Sequence, residues 1–206
     1  MDGSKTKRAS RRWFDRRADG YERGLDSGWL ARMQREALGA LELKPDDRFL
    51  DVGCGPGATV RQTASLVDLG IGVDLAPRMI ARAAALAGNG ARFCVADSER
   101  LPFGSGTFSA LLCSTSFHHY PDPQQAVREM ARVIRPGGRL VLADACADAW
   151  GARVADLFLR RLEPGHVRLY GSAELAGFLQ GAGLGRIRFR TLSSGGYAIA
   201  HAIRPA

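Results

Sequence analysis

The chain has 206 residues, is 46% hydrophobic and carries a formal net charge of +8. This length and apolar content predict one domain with a single core, and no apolar run reaches the roughly 20 residues that would cross a bilayer. The N-terminus is polar and basic, without the apolar core of a signal peptide. We therefore expect a cytoplasmic protein with no membrane span.

The excess positive charge lies at the two ends of the chain. Residues 1–23 hold eight basic and four acidic side chains, and residues 184–206 hold four basic and no acidic ones. A basic patch is the electrostatic footprint of a nucleic-acid partner, so binding of RNA or DNA by these ends stays open as an alternative. It is not favoured, because the part of the chain between the ends is balanced in charge.

The N-terminal region divides into a tail and a helical cap. Residues 1–12 are predicted to form a flexible basic tail, and residues 13–206 a single domain whose first part, residues 13–44, is helical. Ser27 is a candidate N-cap for the second helix. Apolar side chains at helical spacing support that helix: Trp29, Leu30, Met33, Ala37, Leu38 and Leu41.

Short apolar runs alternate with amphipathic stretches from Arg48 onward. The runs are RFLDVG, GIGVDLA, ARFCVAD, FSALLCS and GRLVLADA. This alternation predicts a doubly wound, Rossmann-like α/β fold with a mostly parallel sheet and helices on both faces. Residues 145–183 contain two further helical stretches, at 150–162 and 172–180. Two alternating runs joined by residues 193–196 then predict a C-terminal antiparallel hairpin, which brings the sheet to seven strands.

A glycine-rich turn follows the first predicted strand. Gly53, Gly55 and Gly57 stand in the run LDVGCGPG, where glycines let the backbone approach a ligand at the carboxyl end of a strand. Residues 53–58 also satisfy the permissive dinucleotide fingerprint, so an NAD-dependent oxidoreductase is an alternative. Asp51 favours a different cofactor. Its anion is unfavourable beside a pyrophosphate but suits the cationic amino and sulfonium groups of S-adenosylmethionine.

Two more acidic residues follow the next two strands. Asp74 ends the second predicted strand, where a carboxylate can accept both hydroxyls of a ribose, and Asp97 follows the third. With Asp51, these residues place three acids at three successive strand ends. Because those ends meet at one edge of a parallel sheet, the three acids predict a single nucleoside site.

Residues 49–57 resemble the first motif of the class I S-adenosylmethionine-dependent methyltransferases. The likeness runs from about Tyr21 to the C-terminus and includes LLCSTSFHHYPDP and REMARVIRPGGRLVLAD, which are typical of a small-molecule branch similar to the ubiquinone and menaquinone methyltransferases. It implies methyl transfer to a small organic acceptor, at oxygen, nitrogen or carbon, with S-adenosylhomocysteine as product. It also implies that Asp97 accepts from the adenine amino group. The further cofactor contacts that it implies are Tyr21, Cys54, Leu75, Met79, Ser98 and Ser114.

Candidate residues for the acceptor follow the fourth and fifth strands. His118 and His119 are candidate general bases, because imidazole titrates near neutrality and strand ends face the site. Consecutive side chains often point in different directions, so we expect only one of the two to face the acceptor. The candidate substrate-binding residues are Phe117, His166, Arg168 and Tyr170.

The sequence predicts no metal site. It shows no acidic cluster of the kind that holds magnesium in catechol-type enzymes. Its four cysteines, Cys54, Cys94, Cys113 and Cys146, are far apart and form no CxxC pair. Neither disulfides nor a cysteine-based zinc site is therefore expected.

Overall fold

The computed structural model describes residues 3–23, 27–192 and 195–206. The side chain of Ser27, the candidate N-cap, and residues 193 and 194 of the predicted hairpin connection lie outside the described part. The helices are α1 (Gly3–Arg17), α2 (Ser27–Leu41), α3 (Ala58–Thr63), α4 (Pro77–Ala85), α5 (Pro123–Val133), α6 (Trp150–Leu162) and α7 (Ser172–Gly181). The strands are β1 (Arg48–Val52), β2 (Leu69–Asp74), β3 (Ala91–Val95), β4 (Phe108–Ser114), β5 (Ile134–Ala145), β6 (Gly185–Leu192) and β7 (Tyr197–Ile203).

The strands form one seven-stranded sheet in the order β3-β2-β1-β4-β5-β7-β6. Strands β1 to β5 pair in parallel, whereas β7 runs antiparallel to both β5 and β6. The predicted doubly wound fold with a C-terminal hairpin is therefore confirmed. The strand order reverses beside β1, between β1 and β4, and open α/β sheets bind ligands in the crevice at such a point.

One face of the sheet packs against α5 and α7. Leu50 of β1 and Leu111 of β4 are fully buried there with Met130 of α5 and Leu179 of α7. Because side chains alternate along a strand, the neighbouring residues Phe49 and Leu112 point to the other face. The central strands β1 and β4 are thus buried on both sides, which explains why they are continuous apolar runs.

The other face of the sheet packs against α2, α3 and α4. Phe49 of β1 is buried there with Met33 of α2, Val60 of α3 and Ile80 of α4. The apolar stripe that predicted α2 is the one that contacts the sheet, since Met33, Ala37 and Leu41 are all buried. Trp29, in the same predicted stripe, is instead 43% exposed.

The structure corrects the predicted N-terminal tail. Residues 3–12 belong to helix α1, which packs against α4. Ser10 is buried against the backbone at Gly165, and Phe14 packs near a small cluster around Ala18 and Met79. Such a polar helix is marginal by itself, so its contacts with the rest of the domain hold it in place.

The fifth strand begins earlier than the sequence suggests. The residues of β5 ahead of the run GRLVLADA pair irregularly with β4, whose register against β5 shifts between Phe108 and Ala110. All four cysteines are unpaired, as predicted. Within the described residues, no helix combines the length and apolarity needed to span a membrane.

Candidate functional site

A cavity opens at the carboxyl ends of β1, β2 and β4, under helix α1. It encloses about 720 Å³ of empty space when the solvent at its open mouth is included. We call it the strand-end cavity. It is lined by Lys7, Ser10, Arg11, Phe14, Tyr21, Val52, Gly53, Gly55, Val73, Asp74, Leu75, Ala76, Met79, Ala96, Asp97, Ser98, Thr115, Ser116, His119, Tyr120 and Pro121.

The glycine turn forms the floor of the strand-end cavity. Gly53 has a φ of 77°, in the left-handed region that favours glycine. A Cβ atom on Gly53 would lie 2.4 Å from Oγ of Ser116 and 3.0 Å from the hydroxyl of Tyr120. The turn therefore requires glycine both for its backbone conformation and for the close approach of the loop after β4.

Asp74 organises this turn from the end of β2. One carboxylate oxygen accepts from the backbone N–H of Gly55 at 3.0 Å, and the other accepts from the N–H of Ala76 at 2.8 Å. The side chain also lines the cavity. Asp74 thus joins the first strand-end loop to the second, and its remaining lone pairs can accept hydroxyl groups of a ligand.

Asp51 lies beneath the turn, on β1, and is not among the residues that line the cavity. Its side chain is buried, and burial together with the nearby charge of Asp74 raises its pKa to about 7. Burial also raises the pKa of Asp74, to about 6, although its two backbone hydrogen bonds oppose this. Two neighbouring acids whose pKa values are both raised favour a cation above them.

The third acid, Asp97, is engaged by the N-terminal helix. Nζ of Lys7 lies 2.7 Å from one carboxylate oxygen of Asp97 and 2.5 Å from Oε2 of Glu99. Asp97 itself accepts from the backbone N–H of Glu99 at 3.0 Å. Helix α1 therefore closes the cavity with an ion pair on the acid that the family resemblance assigns to adenine.

The structure brings most of the predicted cofactor residues together. Of these, eight line the strand-end cavity: Tyr21, Gly53, Gly55, Asp74, Leu75, Met79, Asp97 and Ser98. Cys54 is buried under the turn, and Gly57 is the N-cap residue of α3, close to the ring of Phe93. Ser114 is buried at the end of β4, and the next two residues, Thr115 and Ser116, line the cavity in its place.

The two candidate bases point in different directions, as expected. His119 lines the cavity, its Nδ1–H donates to the carbonyl of Gly165 at 3.2 Å, and Nε2 lies 3.6 Å from a carboxylate oxygen of Glu163. Burial and the neighbouring His118 lower the pKa of His119 well below its usual value. The ring of Phe14 contacts it edge-on, with ring centroids 4.9 Å apart.

His118 points away from the cavity lining, toward β5. Its Nδ1 lies 2.7 Å from Oδ1 of Asp144, and its backbone N–H donates to Oδ2 of the same carboxylate at 3.0 Å. Burial by itself would lower the pKa of His118, but the charge and hydrogen bond of Asp144 outweigh it and raise the pKa. His118 is thus held against Asp144, whereas His119 faces the cavity.

None of the four predicted acceptor residues lines the strand-end cavity. Phe117 and Tyr170 are buried in the core, with ring centroids 5.4 Å apart. Arg168 pairs with Glu174 at the surface and stacks over the ring of Tyr170 at 4.6 Å. The side chain of His166 is fully buried against Asp156.

Helix α1 contributes cavity residues that the sequence interpretation missed. Lys7, Ser10, Arg11 and Phe14 all line the cavity. Their spacing of three or four residues is that of one helix face. This spacing is the feature of the sequence that could have predicted them. It was hidden by the charge of the segment, since few of its side chains are apolar.

Comparison with known proteins shows which family the chain belongs to. The family model described as a methyltransferase domain matches residues 50–142. The chain is 31% identical over 203 residues to a demethylmenaquinone methyltransferase of Mycolicibacterium vanbaalenii, covering 89% of this chain and 86% of that one. It is 34% identical over 119 residues to the 27-O-demethylrifamycin SV methyltransferase of Amycolatopsis mediterranei, covering 55% and 44%. The chain spans about half the length of the latter and of some other curated relatives.

A solved structure shares the same fold. The phosphoethanolamine N-methyltransferase 2 of Haemonchus contortus, solved with S-adenosylhomocysteine, superposes with a TM-score of 0.78 at 16% identity, covering 100% of this chain and 61% of that one. At this identity the likeness concerns the fold alone. The near full-length similarity to the Mycolicibacterium protein carries the assignment. The chain therefore belongs to the class I S-adenosylmethionine-dependent methyltransferases of the small-molecule type.

Proposed function

We propose that this chain transfers the methyl group of S-adenosylmethionine to a small organic acceptor and releases S-adenosylhomocysteine. The observation that carries the proposal is the shared cavity of Asp74, Asp97 and the glycine turn. We expect Asp74 to accept the ribose hydroxyls, and Asp97 to accept from the adenine amino group once Lys7 withdraws. The buried charge of Asp51 and Asp74 suits the cationic end of the cofactor.

When bound, the cofactor supplies an activated methyl group together with its own leaving group. The protein then has to hold an acceptor in line with the methyl carbon and exclude water. Helix α1 covers the cavity and performs the second task. Nε2 of His119 is the atom we expect to receive a proton from an acceptor that carries one, because its Nδ1–H is already held by Gly165.

The acceptor is proposed to be small, because the cavity is covered by α1. Arg11 and Phe14 line the same space and favour an acceptor with an aromatic or apolar body and an anionic or hydroxyl group. The names of the two relatives, which refer to demethylmenaquinone and to 27-O-demethylrifamycin SV, support starting a screen with quinols, phenols and hydroxylated polyketides. A nucleic-acid acceptor is not favoured, since Lys7 of the basic end is engaged with Asp97 and Glu99.

Calorimetric titration with S-adenosylmethionine, S-adenosylhomocysteine and NAD tests the proposal and its dependence on pH. We expect micromolar binding of the first two and none of NAD. The Kd for S-adenosylmethionine should rise about tenfold from pH 8 to pH 6, because Asp51, with a pKa of about 7, must lose its proton when the cation binds.

The variant Asp51→Asn is the matched test of this pH effect. It should bind S-adenosylmethionine more weakly at pH 8 and lose most of the change between pH 8 and pH 6. Binding of NAD alone would overturn the proposed function. An affinity of the unaltered chain that stays constant between these pH values would overturn the role given to Asp51.

Replacing His119 with glutamine should lower kcat by about 100-fold with a protic acceptor, the usual size of a lost general base. The Kd for S-adenosylmethionine should change less than twofold, since His119 stands on the acceptor side. Steady-state rates and calorimetry on the same preparation separate the two quantities. His201→Gln, on β7 outside the cavity, is the control; a His119→Gln enzyme as fast as this control would exclude the proposed role.

A further inference from the structure

Three side chains converge behind His119, outside the lining of the strand-end cavity. They are His118, after β4, and Glu163 and His166, after α6. One nitrogen or oxygen atom from each lies within 4.8 Å of those from the other two. We call this group the His–Glu cluster. Its two segments are also joined by the backbone, because the N–H of Val167 donates to the carbonyl of His118 at 2.9 Å.

His166 has a ring nitrogen without a partner. Its Nε2 lies 2.8 Å from Oδ1 of Asp156, and a carboxylate there only accepts, so Nε2 carries the proton. The same carboxylate oxygen accepts from the N–H of Leu169, which fixes it in place. The other nitrogen, Nδ1, is buried, makes no hydrogen bond and lies 4.0 Å from Oε2 of Glu163. Buried polar atoms are nearly always paired, so this lone pair points to a missing ligand.

His118 is arranged in the same way. Its Nδ1–H donates a hydrogen bond to Asp144. The lone pair of Nε2 is therefore available to bind a metal ion. Both histidines of the cluster are therefore held by a buried carboxylate on one ring nitrogen. This carboxylate–histidine arrangement fixes the tautomer and the ring orientation of histidines that bind metals.

We propose that the His–Glu cluster binds one divalent transition-metal ion of the zinc type, through the free nitrogens of His118 and His166 and the carboxylate of Glu163. Imidazole ligands favour such ions over magnesium. A tetrahedral ion with bonds of about 2.1 Å needs ligand atoms about 3.4 Å apart. The ligand atoms of the cluster lie within 4.8 Å of one another, so their separations must shorten by as much as about 1.4 Å. Glu163 is only partly buried, with 23% of its side chain exposed, and can make this adjustment.

Three protein ligands leave one position of a tetrahedral ion open. The ion would also offset the negative charge of Asp144 and Asp156 behind the two histidines. It would bind the segment after α6 to the turn after β4, beside the histidine that faces the acceptor. The sequence predicted no metal site, because the proposed ligands of the ion lie in separate segments of the chain. The only local sign of them in the sequence is that Glu163 and His166 are three residues apart.

Zinc titration of the untagged, chelator-stripped protein tests this inference without cofactor or acceptor, so its outcome is independent of the proposed function. We expect one zinc ion per chain by calorimetry. At a free zinc concentration of about 100 times the Kd, the Tm should rise by about 5 °C or more. Cobalt should bind competitively with zinc and give the visible absorption of a tetrahedral site, whereas magnesium should produce neither effect.

Two variants and one control locate the ion. Glu163→Gln, at a partly exposed position, should weaken zinc binding at least tenfold while the protein stays folded. His166→Asn should abolish it. His201→Asn removes a histidine outside the cluster and should bind zinc as the unaltered chain does. The inference is overturned if the unaltered chain takes up no zinc, or if Glu163→Gln and His201→Asn bind it equally well.

Discussion

Replacing Asp74 with asparagine should weaken the binding of S-adenosylmethionine by about 100-fold or more. The asparagine oxygen can replace only one of the two acceptors that hold Gly55 and Ala76, and its amide would face one of those N–H groups as a second donor. Each hydrogen bond to a charged group contributes about 1.5–3 kcal/mol, so losing one, together with the ribose contacts, accounts for this magnitude. Calorimetry measures the change directly.

The matched control is Asp46→Asn, which removes an exposed carboxylate in the turn before β1. It should leave the Kd unchanged. If Asp74→Asn binds the cofactor as tightly as this control does, the carboxylate at the end of β2 is not part of the cofactor site.

Replacing Gly53 with alanine should abolish measurable cofactor binding at millimolar concentrations. A φ of 77° costs an alanine about 1–2 kcal/mol, and its Cβ would overlap the side chain of Ser116. The loop after β4 would have to move away from the turn, which would widen the floor of the cavity. Cofactor titration and thermal unfolding of the same sample report both effects; we expect a lower Tm as well.

Gly39→Ala is the control for this substitution. Gly39 lies within α2, and a Cβ atom there would meet nothing within 4 Å. Because alanine is the better helix former, this variant should be more stable by about 0.5–1 kcal/mol and bind the cofactor normally. An equally normal Kd for Gly53→Ala would show that the turn tolerates a side chain and does not contact the cofactor.

The sheet could be predicted because its signal is local. Each of β1 to β5 is a short apolar run followed by a turn or a helix start, and this pattern alone determines a parallel α/β sheet. Helix α1 could not be predicted in the same way. Its stability comes from contacts with distant residues, such as Lys7 with Asp97 and Phe14 with His119, and the pattern of a charged segment does not show them.

The residues that line the strand-end cavity from β1 and β2 could be predicted for a topological reason. Parallel strands end at the same edge of the sheet, so acids that follow them in sequence lie together in space. The acceptor side depends on which way consecutive side chains turn in an irregular loop. Phe117 turned into the core and His118 toward Asp144, whereas His119 turned to the cavity. That choice depends on tertiary packing, which a sequence pattern does not contain.

If Asp97 accepts from the adenine amino group as proposed, its ion pair with Lys7 makes the N-terminal helix and the adenine ring competitors for one carboxylate. Cofactor entry and helix docking are then a single exchange, in which one amino group replaces another. Because ion pairs weaken with salt, ionic strength would set how often the chain opens to reload and thereby the ceiling on its turnover.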